Sequence, residues 1–161
     1  MRRNGVLDAV LGIDPGLAGA LAWIGEDGAV LDVADMPILD EGPRKKAIDA
    51  AALSAMVTRH PVRRAVIELV HARPTDSKVS AFSFGRNVGA IEAVVLAAGL
   101  PLHRVAPIAW RRWAGLGPGA PKEASIAAAL RLCPSARPHL TRHDRADAVL
   151  IALHHFYKEA I

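Results

Sequence analysis

Residues 6–16, VLDAVLGIDPG, form the pattern around which the rest of the chain can be organised. Val6 to Ile13 is short, largely apolar and followed by Pro15 and Gly16, which force a turn, so this stretch predicts a strand buried inside a sheet. Asp14 stands at the point where the strand ends. Because aspartate also favours turns, the motif alone is equally consistent with a turn-capping Asp14 and with a functional carboxylate.

The segments that follow predict an α/β fold. Two strands, Gly19–Ile24 and Ala29–Met36, are joined by a tight turn, and two later strands, Arg64–Val70 and Leu102–Ala106, alternate with helices. The predicted helices are Ala47–His60, Ser80–Ala98, Pro107–Trp113, Lys122–Leu132 and His143–Lys158. The predicted loops are Pro37–Lys46, His71–Lys78, Leu116–Pro121 and Pro134–Thr141. This order predicts a mixed five-stranded sheet, with a three-strand antiparallel meander plus two parallel strands and helices on both faces, as in the RNase H-like fold.

Length and composition indicate one domain over residues 1–161. The chain is 52% hydrophobic and 22% charged, which is enough for a packed core, and its formal net charge of +4 suits a polyanionic partner such as nucleic acid. The one cysteine, Cys133, cannot form an internal disulfide, so we expect a reducing, cytoplasmic setting. The sequence has no run of about 20 uncharged apolar residues, so we expect no membrane span.

A second carboxylate, Glu68, lies within an apolar strand. Strand alternation directs its side chain to the face opposite to Ile67 and Leu69. A carboxylate in such a strand is costly to bury without a partner. The partner is either an arginine, Arg63 or Arg64, or a metal ion, and the position favours the metal.

Asp144 and Asp147 are three residues apart at the start of the last predicted helix, so they share one face of it. The residues after them, Ala148–Ala152, are apolar, which indicates that this end of the helix packs against the core. Acids also favour helix N-termini through capping and the helix dipole, and Thr141 with Asp144 resembles a capping box. The pair therefore has an ordinary structural explanation beside the functional one.

Taken together, the four carboxylates indicate a metal site. If the strand of Glu68 lies beside and parallel to the strand of Asp14, both side chains reach the same edge of the sheet, where the last helix can bring Asp144 and Asp147. Clustered carboxylates repel one another unless cations hold them. Hard oxygen ligands select Mg²⁺, with Mn²⁺ as a substitute. Two such ions can activate a water molecule and stabilise the leaving oxygen of a phosphodiester.

The sequence resembles the RuvC-type Holliday junction resolvases, in particular their divergent phage and prophage members. The resemblance is carried, in the same order over nearly the whole chain, by Leu11–Gly16, Ile67–Ala72, Phe82–Gly89 and Asp144–Ala148. It implies a homodimer that uses two Mg²⁺ ions per active site to cut four-way DNA junctions symmetrically. It also implies that the catalytic and metal-binding acids are Asp14, Glu68, Asp144 and Asp147. One departure is His71, which stands where the bacterial housekeeping members carry an aromatic residue that wedges into the junction.

Several basic residues are candidates for gripping DNA phosphates beside the acids. They are His71, Arg73, Lys78, Arg86 and Lys122. Lys122 lies where the resemblance implies a basic residue near the scissile phosphate, although a solvated surface lysine is equally consistent with its position. The run Trp110–Trp113 mixes aromatic and basic character, and we interpret its tryptophans as core residues and its arginines as solvated.

Other functions remain open at this point. A nuclease with the same site could instead act on flaps, other branched DNA or RNA–DNA hybrids, and a non-catalytic junction-binding module would have the same fold. A sugar-kinase or actin-like ATPase also opens with a strand and a meander, but it needs a second domain that 161 residues do not supply. The apolar positions Val88, Ile91 and Val95 are consistent with either core or a dimer surface.

Overall fold

A computed structural model describes residues 9–43 and 45–159. The first three residues of the predicted strand Val6–Ile13, and Arg44 in the predicted loop Pro37–Lys46, lie outside the described residues. The strands are β1 (Ala9–Asp14), β2 (Ala20–Ile24), β3 (Val30–Asp35), β4 (Ile38–Gly42), β5 (Lys45–Ile48), β6 (Val62–Glu68) and β7 (Leu102–Val105). The helices are α1 (Ala50–Val57), α2 (Lys78–Ala97), α3 (Pro107–Trp113), α4 (Glu123–Leu132) and α5 (His143–Glu159), with a 3₁₀ helix at Pro134–His139.

The described chain forms a mixed five-stranded sheet in the order β3-β2-β1-β6-β7. Strands β1, β2 and β3 are an antiparallel meander, β6 is parallel to β1, and β7 is parallel to β6. This confirms the predicted fold class, including the two parallel strands. Strand β1 is central, and its residues from Ala9 to Ile13 are fully buried because helices cover both faces of the sheet.

Two apolar clusters hold the helices to the sheet. On one face, alternate β1 residues such as Val10 pack with α5, α4 and the buried Trp110 of α3. On the other face, Leu11 and Ile13 pack with Leu53 of α1 and with the α2 residues Ile91 and Val95. Ile91 and Val95 therefore belong to the core and not to a dimer surface, the two alternatives that the sequence left open. Val88 is half-buried.

The segment after β3 differs from prediction. Pro37–Lys46 was expected to be a loop, but β4 and β5 form a two-stranded antiparallel sheet in which Ile38 pairs with Ile48. The predicted helix Ala47–His60 starts later, at Ala50, because Asp49 caps it: its carboxylate accepts a hydrogen bond of 2.9 Å from the Ala52 N–H. The loop prediction was wrong because β4 is exposed, so its sequence lacks the apolar alternation of a half-buried strand.

Other boundaries also differ from the prediction. Strand β6 ends at Glu68, so this residue lies at the end of the strand and not within it. Helix α2 begins at Lys78 because Ser77 caps it, accepting a hydrogen bond of 3.1 Å from the Ser80 N–H. The predicted loop Pro134–Thr141 contains the 3₁₀ helix, which a proline at its first position favours.

Helix α2 is long and apolar enough, by length and composition, to cross a membrane. A single such helix is weak evidence, and it carries the charged residues Arg86 and Glu92, both of which make ion pairs with side chains outside the helix. The absence of a membrane span stays a prediction.

Helix α5 lies very close to β1. A Cβ atom on Gly12 would be 2.3 Å from the carbonyl oxygen of Ala148 and 2.7 Å from the Cβ of Ala152. Small residues on both elements therefore allow the helix backbone to rest on the strand. Because Asp14 is two residues after Gly12, and Asp147 directly precedes Ala148, this contact sets how the acids of the two elements approach one another.

The substitution Gly12→Ala should destabilise the fold. The added methyl group has no space, so we expect a loss of about 1–3 kcal/mol in the free energy of unfolding, measured by urea denaturation. Gly117→Ala is the control, because a Cβ there would meet no atom within 4 Å; its effect should stay within about 0.5 kcal/mol. Equal effects of the two substitutions would contradict the role assigned to the contact at Gly12.

Candidate active site

Asp14 and Glu68 come together through strand register. In the parallel pairing of β1 with β6, Ile13 is opposite Ile67, so the next residue of each strand, Asp14 and Glu68, lies at the same edge of the sheet. Side chains two apart on a strand share a face, so both acids point to the side on which α5 packs, with Gly12 and Val66. The predicted meeting of these two acids is what the structure shows.

Asp144 and Asp147 reach the same place from α5. Asp144 is in the first turn of the helix, 3.3 Å from the ring nitrogen of His143 and 3.9 Å from the Arg142 guanidinium. Asp147 lies one turn further on, and among the described residues its buried Oδ1 has no hydrogen-bond partner. An orphaned buried carboxylate oxygen is unfavourable unless a cation or a further donor binds it.

The electrostatics show how close the acids are. The pKa of Asp14 is raised to about 8, first by burial and then by repulsion from Asp147, Glu68 and Asp144, while Arg142 opposes the increase. Burial also raises the pKa values of Glu68 and Asp147 above their ordinary values. The other three acids therefore all act on Asp14 in a poorly hydrated space, which is the environment that favours a bound cation.

The donor set fits a hard divalent cation. The candidate ligands are carboxylate oxygens, the atoms that Mg²⁺ and Mn²⁺ prefer, and the orphaned Asp147 oxygen supplies an unused acceptor. Within residues 9–43 and 45–159, no three acid, histidine or cysteine side chains already enclose a metal position. Repulsion acts over longer distances than a metal–oxygen bond of about 2.1 Å, so uncompensated acids stand apart and would have to draw together around an ion.

Helix α3 supplies two site residues that the sequence did not assign. The indole N–H of Trp110 donates a hydrogen bond of 2.8 Å to Oε1 of Glu68, which opposes the effect of burial on the Glu68 pKa. The Arg111 guanidinium lowers the pKa values of Glu68 and Asp147 by its charge. The interpretation of Trp110 as core is confirmed, since it is 1% exposed, but it also contacts the site.

The position of these residues follows from strand pairing in the folded chain. In the pairing of β6 with β7, Glu68 is opposite Val105, and α3 begins two residues later. Any side chain on the sheet-facing side of that short helix had to lie near Glu68. Ser125, buried on α4, is a third unassigned neighbour, and its hydroxyl opposes the effect of burial on the pKa of Asp147.

Three of the four acids, Asp14, Glu68 and Asp144, lie in a groove that the predicted DNA-binding residues border in part. A hollow of about 780 Å³ contains Glu68, His71, Arg73 and Arg111. A second, of about 560 Å³, contains Asp14 and Asp144. The two share Ser80 and Phe84 of α2 as lining residues, so they form one groove across the acids.

The groove continues to the β4–β5 hairpin. A third hollow, of about 510 Å³, shares Leu17, Val79 and Ser83 with the second and is lined by Lys45, Lys46 and Arg86. Arg86 forms a two-pronged ion pair with Glu41 on β4, at 2.9 and 3.2 Å.

Two of the predicted DNA-binding residues stand apart from these hollows. Lys78 is exposed at the start of α2, and Lys122 is exposed just before α4, one helical turn from Ser125.

Asp14→Asn should change the pH dependence of stability in metal-free protein. The folded-state pKa of Asp14 is about 8 and the ordinary value is 3.8, so its stabilising contribution is complete below pH 3.8 and is lost as the pH rises to 8. We therefore expect the variant to melt at least about 4 °C above wild type at pH 8.5 in EDTA, and the difference to shrink near pH 4.5. Asp27→Asn, on an exposed turn, controls for the loss of one carboxylate. A difference that grows towards acid pH would show that the sign is wrong.

Comparison with known proteins supports the same fold. Neither a protein-family model nor a curated protein matches the chain. Among solved structures, Thermus thermophilus RuvC has a TM-score of 0.64 at 21% identity, covering 94% of this chain and 96% of its own. The same protein in complex with a Holliday junction substrate has a TM-score of 0.65 at 19% identity, covering 95% and 96%.

A eukaryotic structure gives a similar result. The yeast mitochondrial Holliday junction resolvase has a TM-score of 0.61 at 15% identity, covering 96% of this chain and 80% of its own. At these identities the likeness establishes the fold, and the resemblance to phage and prophage members stays a prediction. The chain has the RNase H-like fold of the RuvC-type resolvases.

Proposed function

We propose that this protein is a metal-dependent endonuclease that resolves four-way DNA junctions with paired, symmetric cuts. The observation that carries the proposal is the convergence of four acids from β1, β6 and α5, where burial first and mutual repulsion second raise the pKa of Asp14 to about 8. The solved structures with the same fold include a RuvC bound to a Holliday junction substrate.

The acids Asp14, Glu68, Asp144 and Asp147 would hold two Mg²⁺ ions, for which Mn²⁺ can substitute. The bound ions would supply an activated water and stabilise the leaving oxygen of the phosphodiester. Arg111 is close enough to Glu68 and Asp147 to act on both carboxylates, so it can bind a phosphate that lies against them.

The groove gives the DNA backbone a path through the site. His71 and Arg73 lie at the end that contains Glu68, and Lys45 and Lys46 lie at the hairpin end. Positive side chains at both ends can bind phosphates on either side of the bond that is cut.

Arg86 is part of the hairpin end but is held by Glu41, so a phosphate must compete with that carboxylate for the guanidinium. Lys78 and Lys122 are proposed to bind outer phosphates, since both are exposed.

A homodimer would place two such sites on one junction. Helix α2 carries an exposed stripe of apolar and small side chains at helical spacing, with Phe82 75% and Leu96 55% exposed. The stripe consists of Phe82, Gly85, Gly89, Ala93 and Leu96. Small residues let two helices approach closely, and a continuous apolar stripe is typical of a contact surface, so we propose that α2 pairs with α2 of a second copy.

A panel of labelled substrates tests the activity. With Mg²⁺, we expect four-way junctions to be cut in preference to flaps, RNA–DNA hybrids and plain duplex. Asp14→Asn should reduce the cutting rate at least about 1,000-fold while leaving junction affinity within a few-fold, because removing a metal ligand removes the chemistry and spares the phosphate contacts. Asp27→Asn is the control. Faster cutting of flaps or hybrids would assign another substrate, and junction binding without cutting in Mg²⁺ or Mn²⁺ would favour a non-catalytic module.

Light scattering tests the dimer. Wild type should have twice the mass of the chain, and Ala93→Glu on the stripe should weaken the dimer at least about tenfold, because a charge would be buried at the helix contact. Ala55→Glu, at an exposed position of α1, is the matched control and should leave the mass unchanged. A monomeric wild type at assay concentration would contradict the proposed dimer without removing the nuclease.

A further inference from the structure

One contact of Glu68 lies outside the metal-binding acids. The Nε1–H of Trp110 donates to Glu68 Oε1 over 2.8 Å, a short distance for a hydrogen bond from a neutral N–H to an oxygen. An indole N–H can only donate, so this contact uses a lone pair of the carboxylate and engages one defined oxygen. The same oxygen retains a second lone pair, which leaves it able to bind a cation.

The fold aims Trp110 at this oxygen. Glu68 is the last residue of β6 and is paired with Val105 of β7. Helix α3 starts two residues after Val105, with Pro107 as its first residue. Trp110 is the first buried residue of this helix, after three exposed ones, and its ring lies beside Glu68 at the end of β6.

Packing keeps the indole in place. Trp110 is 1% exposed and belongs to the apolar cluster beneath α5, together with Ala114, Leu116 and Val149. The Arg111 guanidinium carbon lies 5.5 Å from the centre of the Trp110 ring and covers its outer face. Interiors are packed too tightly for a ring of this size to turn freely, so the direction of its N–H is fixed by the core.

We infer that Trp110 is a positioning residue that holds the Glu68 carboxylate in the orientation needed to bind metal with Asp14 and Asp147. Glu68 has three side-chain torsions, so without a fixed partner its carboxylate can adopt several orientations. The inference rests on the proposed metal site. It goes beyond that site because it states that a core tryptophan orients one of the metal ligands.

Trp110→Phe tests this contact because it removes the indole N–H and keeps an aromatic ring in the core, where it leaves a cavity. The matched control is Trp113→Phe on the same helix, since the ring of Trp113 contacts His154 and Tyr157. Binding of Mn²⁺ to metal-free protein is measured by the electron paramagnetic resonance of the free ion. We expect the dissociation constant to rise about 10- to 100-fold in Trp110→Phe, the usual effect of losing a hydrogen bond to a metal ligand. It should stay within twofold of wild type in Trp113→Phe.

The dependence on Glu68 is tested by a double substitution. Combined with Glu68→Ala, Trp110→Phe should cause no further loss of Mn²⁺ binding, because the ligand that it positions is already gone. An equal loss in both backgrounds would show that Trp110 acts on stability in general, and would overturn the inference.

A spectroscopic measurement does not depend on folding of the Trp110 variant. In protein labelled with ¹⁵N-tryptophan, the Trp110 indole signal should move on Glu68→Gln and again on addition of Mg²⁺ to wild type. The Trp113 signal should stay in place. A Trp110 signal that moves in neither experiment overturns the inference.

The result also separates this inference from the proposed function. Wild type that binds Mn²⁺ and cuts junctions, with Trp110→Phe equal to wild type in Mn²⁺ affinity, overturns the role of Trp110 alone. Wild type that binds no Mn²⁺ overturns the proposed metal site, and the inference with it.

Discussion

Repulsion among buried carboxylates is the constraint that the rest of the structure has to satisfy. Asp14, Glu68 and Asp147 are each partly removed from water, and the pKa of each is therefore raised above that of an ordinary carboxyl group. The opposing forces are local: Trp110 donates to one acid, and Arg142 and Arg111 place positive charge nearby. These contacts reduce the repulsion without abolishing it, so the site remains a place where a cation is favoured.

The energy that holds the acids together comes from the two apolar clusters. Strand β1 is buried on both faces, and helices α5 and α2 pack on opposite sides of it. Burial of apolar surface contributes roughly 25 cal/mol per Å², so a central strand covered on both sides can offset several unfavourable polar contacts at its end. The unfavourable charges thus stand at the end of the most deeply buried strand, and a local departure of this kind is typical of functional sites.

Much of the fold and the four acids were predictable from the sequence, for identifiable reasons. A short apolar strand that ends in Asp14 and a second apolar strand that contains Glu68 predict that the two acids meet, and the parallel register of β1 with β6 brings them together, although β6 ends at Glu68 and not at Val70 as predicted. The β4–β5 hairpin was missed because its exposed strands lack the pattern that burial imposes. Trp110 was assigned to the core, which is correct, but its second contact depends on the pairing of Glu68 with Val105. Such a contact is set by tertiary structure, and no local pattern records it.

The tight contact between strand β1 and helix α5 also limits how the sequence can change. Gly12, Ala148 and Ala152 share one small volume, so a larger side chain at any of the three removes the space available to the other two. Substitutions at these positions are therefore not independent, and the effect of a pair differs from the sum of its single effects. Asp14 and Asp147 adjoin this contact, so the three small residues have to change together during evolution. Substitution at any of them is restricted by the geometry of the acids, although none of the three takes part in the chemistry.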